Sequence, residues 1–247
     1  MRLVFKAWDM TGETTRTIGD DRLSEPVMTP AQKIALWADT LRDMSYWGLR
    51  YAKDVYEQDR WRRIQDMVLE MHALATGDSL ESLEVLRDTI YTRPMPFVAS
   101  EGAVIDDRQR VLLIRRADSK QWALPGGALE VGETGAQGTV REIFEETGVH
   151  SEVTRLVGVF DARRRGSPAR HHFYLLIFLC KPSGDADVAP THPHETLEQG
   201  WFARDQLPSD LMPSHRPGIT HAFRVLDGDA AFFDRDPAPS LGAWPGA

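Results

Sequence analysis

The stretch GGALEVGETGAQGTVREIFEETGV (Gly126–Val149) carries Glu142, Glu145 and Glu146 at i, i+3 and i+4. Residues 135–147 read as a helix, stopped by Gly148, and on a helix these three carboxylates share one face. Like charges at that spacing cost about 0.2–0.5 kcal/mol per pair. One reading is a solvated surface in which Arg141, four residues before Glu145, supplies a partner. The other is a platform for hard divalent cations, which take oxygen ligands and usually keep waters and substrate phosphates in their shell. On that reading the ion relieves the repulsion that the empty face carries.

The pattern around this helix is α/β. FVASEGAVID (97–106) and RVLLIRRA (110–117) alternate like strands around a turn at Asp106–Gln109. Trp122-Ala123-Leu124-Pro125 leads into the glycine pair. Further strands are expected at 152–161 and 171–180, a short one near 200–203, and a last helix over 215–228. Upstream, Thr29-Pro30 is a helix start, a capping residue followed by proline at the first helical position. Ile34, Trp37, Leu41 and Met44 form one apolar stripe. Trp61, Ile64, Met67 (or Val68) and Met71 form another, and Ser79 caps a third helix carrying Leu80, Leu83 and Leu86. Gly48 and Gly77-Asp78 punctuate this segment. Stripes so rich in aromatics on so few helices point to packing on a second domain or a second subunit, and a homodimer is expected.

The expected organisation is a polar leader over 1–27, a helical domain over 28–92, an α/β domain over 93–230 and a proline-rich tail over 231–247. The segment Thr92-Arg93-Pro94-Met95-Pro96 is the linker, and Met28 is a candidate start. With 247 residues, 42% of them hydrophobic, the chain can bury a sizeable core. A net charge of −8 argues against electrostatically driven nucleic-acid binding. The single cysteine, Cys180, lies in the apolar run HFYLLIFLC, which excludes an intramolecular disulfide and fits a reducing, cytoplasmic setting. No apolar run approaches the ~18 residues of a membrane span.

Gly127, five residues, Glu133, seven residues, then Arg141-Glu142-Ile143-Phe144-Glu145-Glu146-Thr147-Gly148-Val149 match GX5EX7REUXEEXGU at every fixed position. That pattern resembles the Nudix box, and residues 97–230 are similar to a Nudix hydrolase domain. The resemblance implies an α/β/α sandwich with a mixed sheet, here behind a small all-helical region. It implies hydrolysis of a nucleoside diphosphate linked to a moiety X, with Mg²⁺ as cofactor and Mn²⁺ as a substitute. Glu142, Glu146 and the carbonyl of Gly127 are the implied metal ligands, and Glu145 completes the cluster or holds a metal-bound water. Arg141 and Glu133 are implied to brace the loop against the helix. A base or further ligand is expected from the segment before the last strand, where Glu195 and Glu198 are the candidates.

Residues 34–71 resemble the N-terminal extension of a Nudix subgroup described as ADP-ribose or CDP-choline pyrophosphatases, through Gly48-Leu49-x-Tyr51, Asp54-x-Tyr56 and Asp59-Arg60-Trp61. Ala128 stands where that subgroup often has an aromatic, and Glu130 where it has an aspartate. Either departure can reshape the pocket and so bears on the identity of X; the subgroup resemblance itself implies ADP-ribose as the first expected substrate, followed by CDP-choline or a nucleotide sugar. The locally basic segment DARRRGSPARHH (161–172) offers Arg163, Arg164, Arg165 and Arg170 as clamps for phosphates or a terminal ribose, against the alternative of a solvated loop. Arg115 and Arg116 end a strand near the glycine loop and are candidates to reach a phosphate. Trp122 could stack on a base or pack in the core. Cleavage of capped or triphosphorylated RNA ends and a non-catalytic nucleotide sensor are the alternative functions. Isoprenyl diphosphate isomerisation needs a cysteine at the site, and Cys180 lies in an apolar strand.

Overall fold

The computed structural model describes residues 28–87, 91, 96–165, 173–184 and 194–235. The chain opens with helix α1 (Pro30–Tyr51), whose first turn is closed by a reciprocal cap: the Thr29 hydroxyl accepts from Gln32 N at 3.2 Å and the Gln32 side chain accepts from Thr29 N at 2.8 Å. Asp54 caps α2 (Val55–Thr76) by accepting from the N–H groups of Tyr56 and Glu57, and Gly77 ends it in a left-handed conformation. Ser79 caps the short α3 (Leu80–Leu83). Ala38, Val68, Leu69 and Tyr91 form a small core of their own, against which Leu41, Ile64 and Met71 pack.

Two expectations for this region change. Gly48 lies inside α1 and does not interrupt it; a β-carbon there would come within 2.1 Å of the Trp61 indole, so the glycine admits the close approach of α2. The α1 stripe is only partly inward, since Trp37 and Met44 are 52% and 56% exposed. On α2 the inward residue is Val68, with Met67 facing out.

The second region holds two sheets. The larger has the order β4-β1-β6-β5-β8, built from β1 (Phe97–Val104), β4 (Gly126–Ala128), β5 (Ser151–Asp161), β6 (Phe173–Pro182) and β8 (Phe232–Phe233). β1 runs parallel to β6 and β8 parallel to β5, while the β1–β4 and β5–β6 pairs are antiparallel, which makes the sheet mixed. The smaller has the order β3-β2-β7, from β2 (Arg110–Arg116), β3 (Trp122–Ala123) and β7 (Thr196–Ala203).

Strand alternation divides the interior in two. Ala99, Ala103, Leu175, Ile177 and Leu179 face α5 (Arg216–Leu226), through Ile219, Ala222 and Phe223. Val104, Phe178 and Cys180 face α4 (Gly135–Thr147), through Ile143. Gly102 lets α4 sit close to β1, since a β-carbon there would meet Ile143 at 2.3 Å. The architecture is therefore the expected mixed sheet between helices. β7 extends further than the expected 200–203, and β8 adds an edge strand beyond residue 230. Trp122 is buried and meets Phe202 edge to face at 4.8 Å, which makes it a core residue rather than a base-stacking one. The leader, most of the linker and residues 236–247 of the tail lie outside the described residues.

Candidate active site

Helix α4 is held at both ends. Thr134 and Gln137 make a reciprocal cap at its start, and Gly148, at φ +71°, stops it. Ile143, Thr139 and Thr147 anchor its inner side. This sets the rotation of the glutamate face toward β4. Gly126 of β4 has φ +153°, and a β-carbon there would lie 2.2 Å from the Ser100 carbonyl, so only glycine permits this register. Its N–H donates to Glu146 Oε2 at 2.8 Å. The next residue, Gly127, would place a β-carbon 2.7 Å from Glu142 Oε1. The glycine pair thus brings main chain directly against two of the three carboxylates.

Glu146 is only 4% exposed. Burial pushes its carboxyl up to about 8; the nearby charges of Glu142 and Glu195 add to this, while the Gly126 N–H and Arg116 oppose it. Burial also raises Glu142, against the pull of Arg141. Arg141 ties the face together. Its Nε and Nη2 grip Glu133 at 2.7 and 3.0 Å, and its Nη1 donates to Glu142 at 2.8 Å and Glu145 at 2.9 Å. Glu133 also accepts from Glu130 N at 3.0 Å and lies below the usual carboxylate range, chiefly through its bond to Arg141.

A cavity of about 420 Å³ is lined by Glu142, Glu146 and Glu195 together with Arg116 and the backbone from Gly126 to Ala128. Among the described residues no three acidic, His or Cys side chains converge into a closed cage. The donors present are nonetheless all oxygen, one is a buried carboxyl short of positive charge, and Gly127 leaves room that a β-carbon would fill. That set fits a hard divalent cation whose shell is completed by water and substrate oxygens.

The other expected residues separate clearly. Glu195 lines the cavity and its Oε1 lies 3.4 Å from His194 Nε2. Glu198 sits opposite Arg115 in the β2–β7 ladder, 3.6 Å from its guanidinium, away from the glutamate face. Arg115 also donates to the Lys120 carbonyl at 2.9 Å. Its neighbour Arg116 turns to the other side of the strand, grips Asp118 at 3.1 and 2.8 Å, and lines the cavity. Arg164 is bound to Asp234 at 3.1 Å. The side chain of Arg163, and all of Arg170, fall outside the described residues.

A second cavity of about 450 Å³ adjoins the first and shares Arg116, Asp118 and Gly126–Ala128 with it. Its inner end holds Glu101, His215 and Arg165. Glu101 is 8% exposed and its Oε1 lies 3.3 Å from His215 Nδ1. Burial raises the Glu101 carboxyl, but the charge and hydrogen bond of His215, with Arg165 and Arg116, bring it below the ordinary value. Neither Glu101 nor His215 is singled out by any motif; only the β1–β4 register and the packing of α5 bring them here.

Fold and carboxylate face together define a hydrolase of phosphorus-containing anhydrides, a class whose members generally use divalent metals. The NUDIX domain profile matches residues 96–223, and a profile described as a UDP-X-like N-terminal oligomerisation domain matches residues 32–86. The chain belongs to the Nudix family. It is 30% identical over 175 residues to YjhB of Bacillus subtilis, named provisionally as an ADP-ribose pyrophosphatase, covering 69% of this chain and 81% of that one. It is 39% identical over 127 residues to the ADP-ribose pyrophosphatase of Methanocaldococcus jannaschii, covering 47% of this chain and 73% of that one. Among solved structures, a UDP-X diphosphatase aligns with 81% of this chain and 97% of its own, at 27% identity and a TM-score of 0.52. Among the described residues no helix is long and apolar enough to cross a membrane.

Proposed function

We propose that this protein hydrolyses the pyrophosphate bond of a nucleoside diphosphate linked to a moiety X, with ADP-ribose as the first candidate, using Mg²⁺ or Mn²⁺. The observation that carries this reading is the joining of two cavities across Gly126–Ala128, one lined by the Glu142, Glu146 and Glu195 carboxylates and the other by an apolar wall together with Glu101, His215 and Arg165. A diphosphate at the shared strip would have its charged centre on the carboxylate side and an organic group on the other. The names of YjhB and of the Methanocaldococcus jannaschii relative support ADP-ribose; the UDP-X diphosphatase neighbour, which aligns with both regions, supports a UDP-linked substrate as the second reading.

Glu142, Glu146 and the Gly127 carbonyl would hold the cation. When bound, it supplies charge neutralisation at the phosphate oxygens and lowers the pKa of water. The chain's own part is positional. Arg141 holds Glu142 and Glu145 while anchoring the loop through Glu133. Glu195, which lines the cavity, would take the proton of the attacking water. Arg116, paired with Asp118, would present guanidinium donors to the diphosphate on the wall shared by the two cavities.

We also propose that α1 and α2 pair two copies of the chain, with Trp37, Met44 and Met67 in the contact. Their exposure and the oligomerisation profile over residues 32–86 support this. The RNA-end reading rests on the 161–172 segment, of which Arg164 is engaged by Asp234. The test of the main reading is a panel of ADP-ribose, UDP-sugars, CDP-choline and capped RNA with Mg²⁺ or Mn²⁺, products resolved by chromatography. A nucleoside monophosphate and a phosphorylated X are expected. Binding without turnover across the panel would instead favour a nucleotide sensor.

A further inference from the structure

The inner cavity contains charged groups whose bonding is incomplete. Arg165 ends the 3-10 turn Ala162–Arg165 that follows β5. Its Nε, Nη1 and Nη2 are all buried and none has a hydrogen-bond partner. The guanidinium carbon lies 4.6 Å from the centre of the Phe160 ring, and a β-carbon on Gly218 would lie 2.7 Å from Nη2, so α5 leaves room for it. Glu101 is in a complementary state. Its Oε1 faces His215, while its Oε2 is buried without a partner. Buried guanidinium and carboxylate atoms are seldom left unbonded, because their desolvation is then uncompensated.

Beside these groups the cavity has an apolar wall, while Arg116, Asp118 and the serines Ser100, Ser119 and Ser214 line the remainder. Phe97 and Phe173 stack on each other at 5.1 Å and 19°, and Leu175 and Met212 add to the wall. The volume of about 450 Å³ is in the range that holds a small organic ligand. The ligand that satisfies such a site is flat, with apolar faces and an edge bearing a hydrogen-bond acceptor beside a donor. A phosphate offers Arg165 acceptors but would be repelled by Glu101. A sugar has no flat faces. A nucleobase has both the faces and the edge.

We propose that this cavity is the nucleobase subsite, with Arg165 donating to an acceptor on the base edge and Glu101 Oε2 accepting from the adjacent N–H. The inference rests on the function proposed above and adds the residues that read the base. It also separates two tasks along one ligand: carboxylates and Arg116 at the diphosphate, Arg165 and Glu101 at the base.

The test is calorimetric titration of AMP, UMP, CMP and GMP into the full-length protein and into Arg165→Gln and Arg165→Lys, with Mg²⁺ present. Hydrolysis of ADP-ribose and UDP-glucose is assayed in parallel. The wild type should prefer one monophosphate. Arg165→Gln should weaken that one roughly 10- to 100-fold and the others less, so that the preference narrows. Arg165→Lys keeps the charge without the fork and should restore binding only in part; if the Gln variant does not fold, the Lys variant is read the same way. Equal binding of all four by the wild type, or a preference that both variants leave unchanged, overturns the inference. An equal loss on all four also overturns it, since Arg165 would then act on the phosphate or on the fold. Selective base binding without hydrolysis of these two or of any other substrate in the panel above would sink the proposed function and leave the base subsite standing, so the two failures are distinguishable.

Discussion

The carboxylate of Glu142 lies 2.7 Å from the point where a β-carbon on Gly127 would stand. The Glu142 carboxylate thus occupies space that a side chain on β4 would need, and the proposed cation site depends on that approach. Gly127→Ala should push Glu142 aside. The expected result is a loss of roughly 100-fold or more in kcat/KM, with the thermal midpoint little changed, measured by steady-state kinetics beside calorimetry.

Glu146 makes the metal-free protein sensitive to pH. Its folded-state value, pushed up to about 8 mainly by burial, exceeds that of an unfolded glutamate. The folded state therefore favours the protonated form. The contribution is fully present below about pH 4.3 and is lost as pH rises toward 8. Metal-free wild type should lose stability to urea across that window more steeply than Glu146→Gln does. Matching slopes for the two proteins would rule this out.

Arg141 neutralises the glutamate cluster, and its own proton is held more firmly by Glu133, Glu142 and Glu145. Arg141→Gln leaves three partly buried carboxylates facing one another. A destabilisation of about 2–4 kcal/mol is expected from urea titration in chelator. Added Mg²⁺ should recover part of it, because the cation replaces the lost positive charge.

Glu195 and Glu198 separate in space although they are three residues apart in sequence. Glu195→Gln should lower kcat by roughly 100-fold or more, as expected of a general base. Glu198→Gln, altering a partly exposed pair with Arg115, should stay within about twofold of wild type. The reverse ranking would place the base on β7.

On the N-terminal helices, Gly48→Ala drives a β-carbon into the Trp61 ring, 2.1 Å away. Overpacking of this kind costs about 1–3 kcal/mol or more. If α1 and α2 form the contact between copies, sedimentation should also show a shift toward monomer. Trp37→Asp should produce that shift without the loss of stability, since Trp37 is 52% exposed.

The glutamate face was legible because helical periodicity acts over a few residues. Thr134, Gly135 and Gly148 bound α4 locally, and the rotation of Glu142, Glu145 and Glu146 follows from spacing alone. The strands around it were readable for the same reason. The separation of Arg115 from Arg116 was not, since adjacent strand residues face opposite sides and only the pairing of β2 with β7 says which side is which. Nor was Arg165 distinguishable from Arg163 and Arg164 in a run of three arginines. Its position follows from the end of β5, the turn after it and the space at Gly218. Glu101 lies in an apolar strand and His215 just before α5, more than a hundred residues apart, and no local pattern joins them.

The α4 carboxylates are proposed to carry a cation-dependent cleavage of a diphosphate. The decisive experiment incubates wild type and Glu146→Gln with ADP-ribose and UDP-glucose, with Mg²⁺ and with chelator, and follows nucleoside monophosphate release. Turnover of at least one substrate by wild type with Mg²⁺, none in chelator, and a fall of roughly 1,000-fold in Glu146→Gln are expected. Equal turnover by Glu146→Gln and wild type would rule out the α4 face as the cation site.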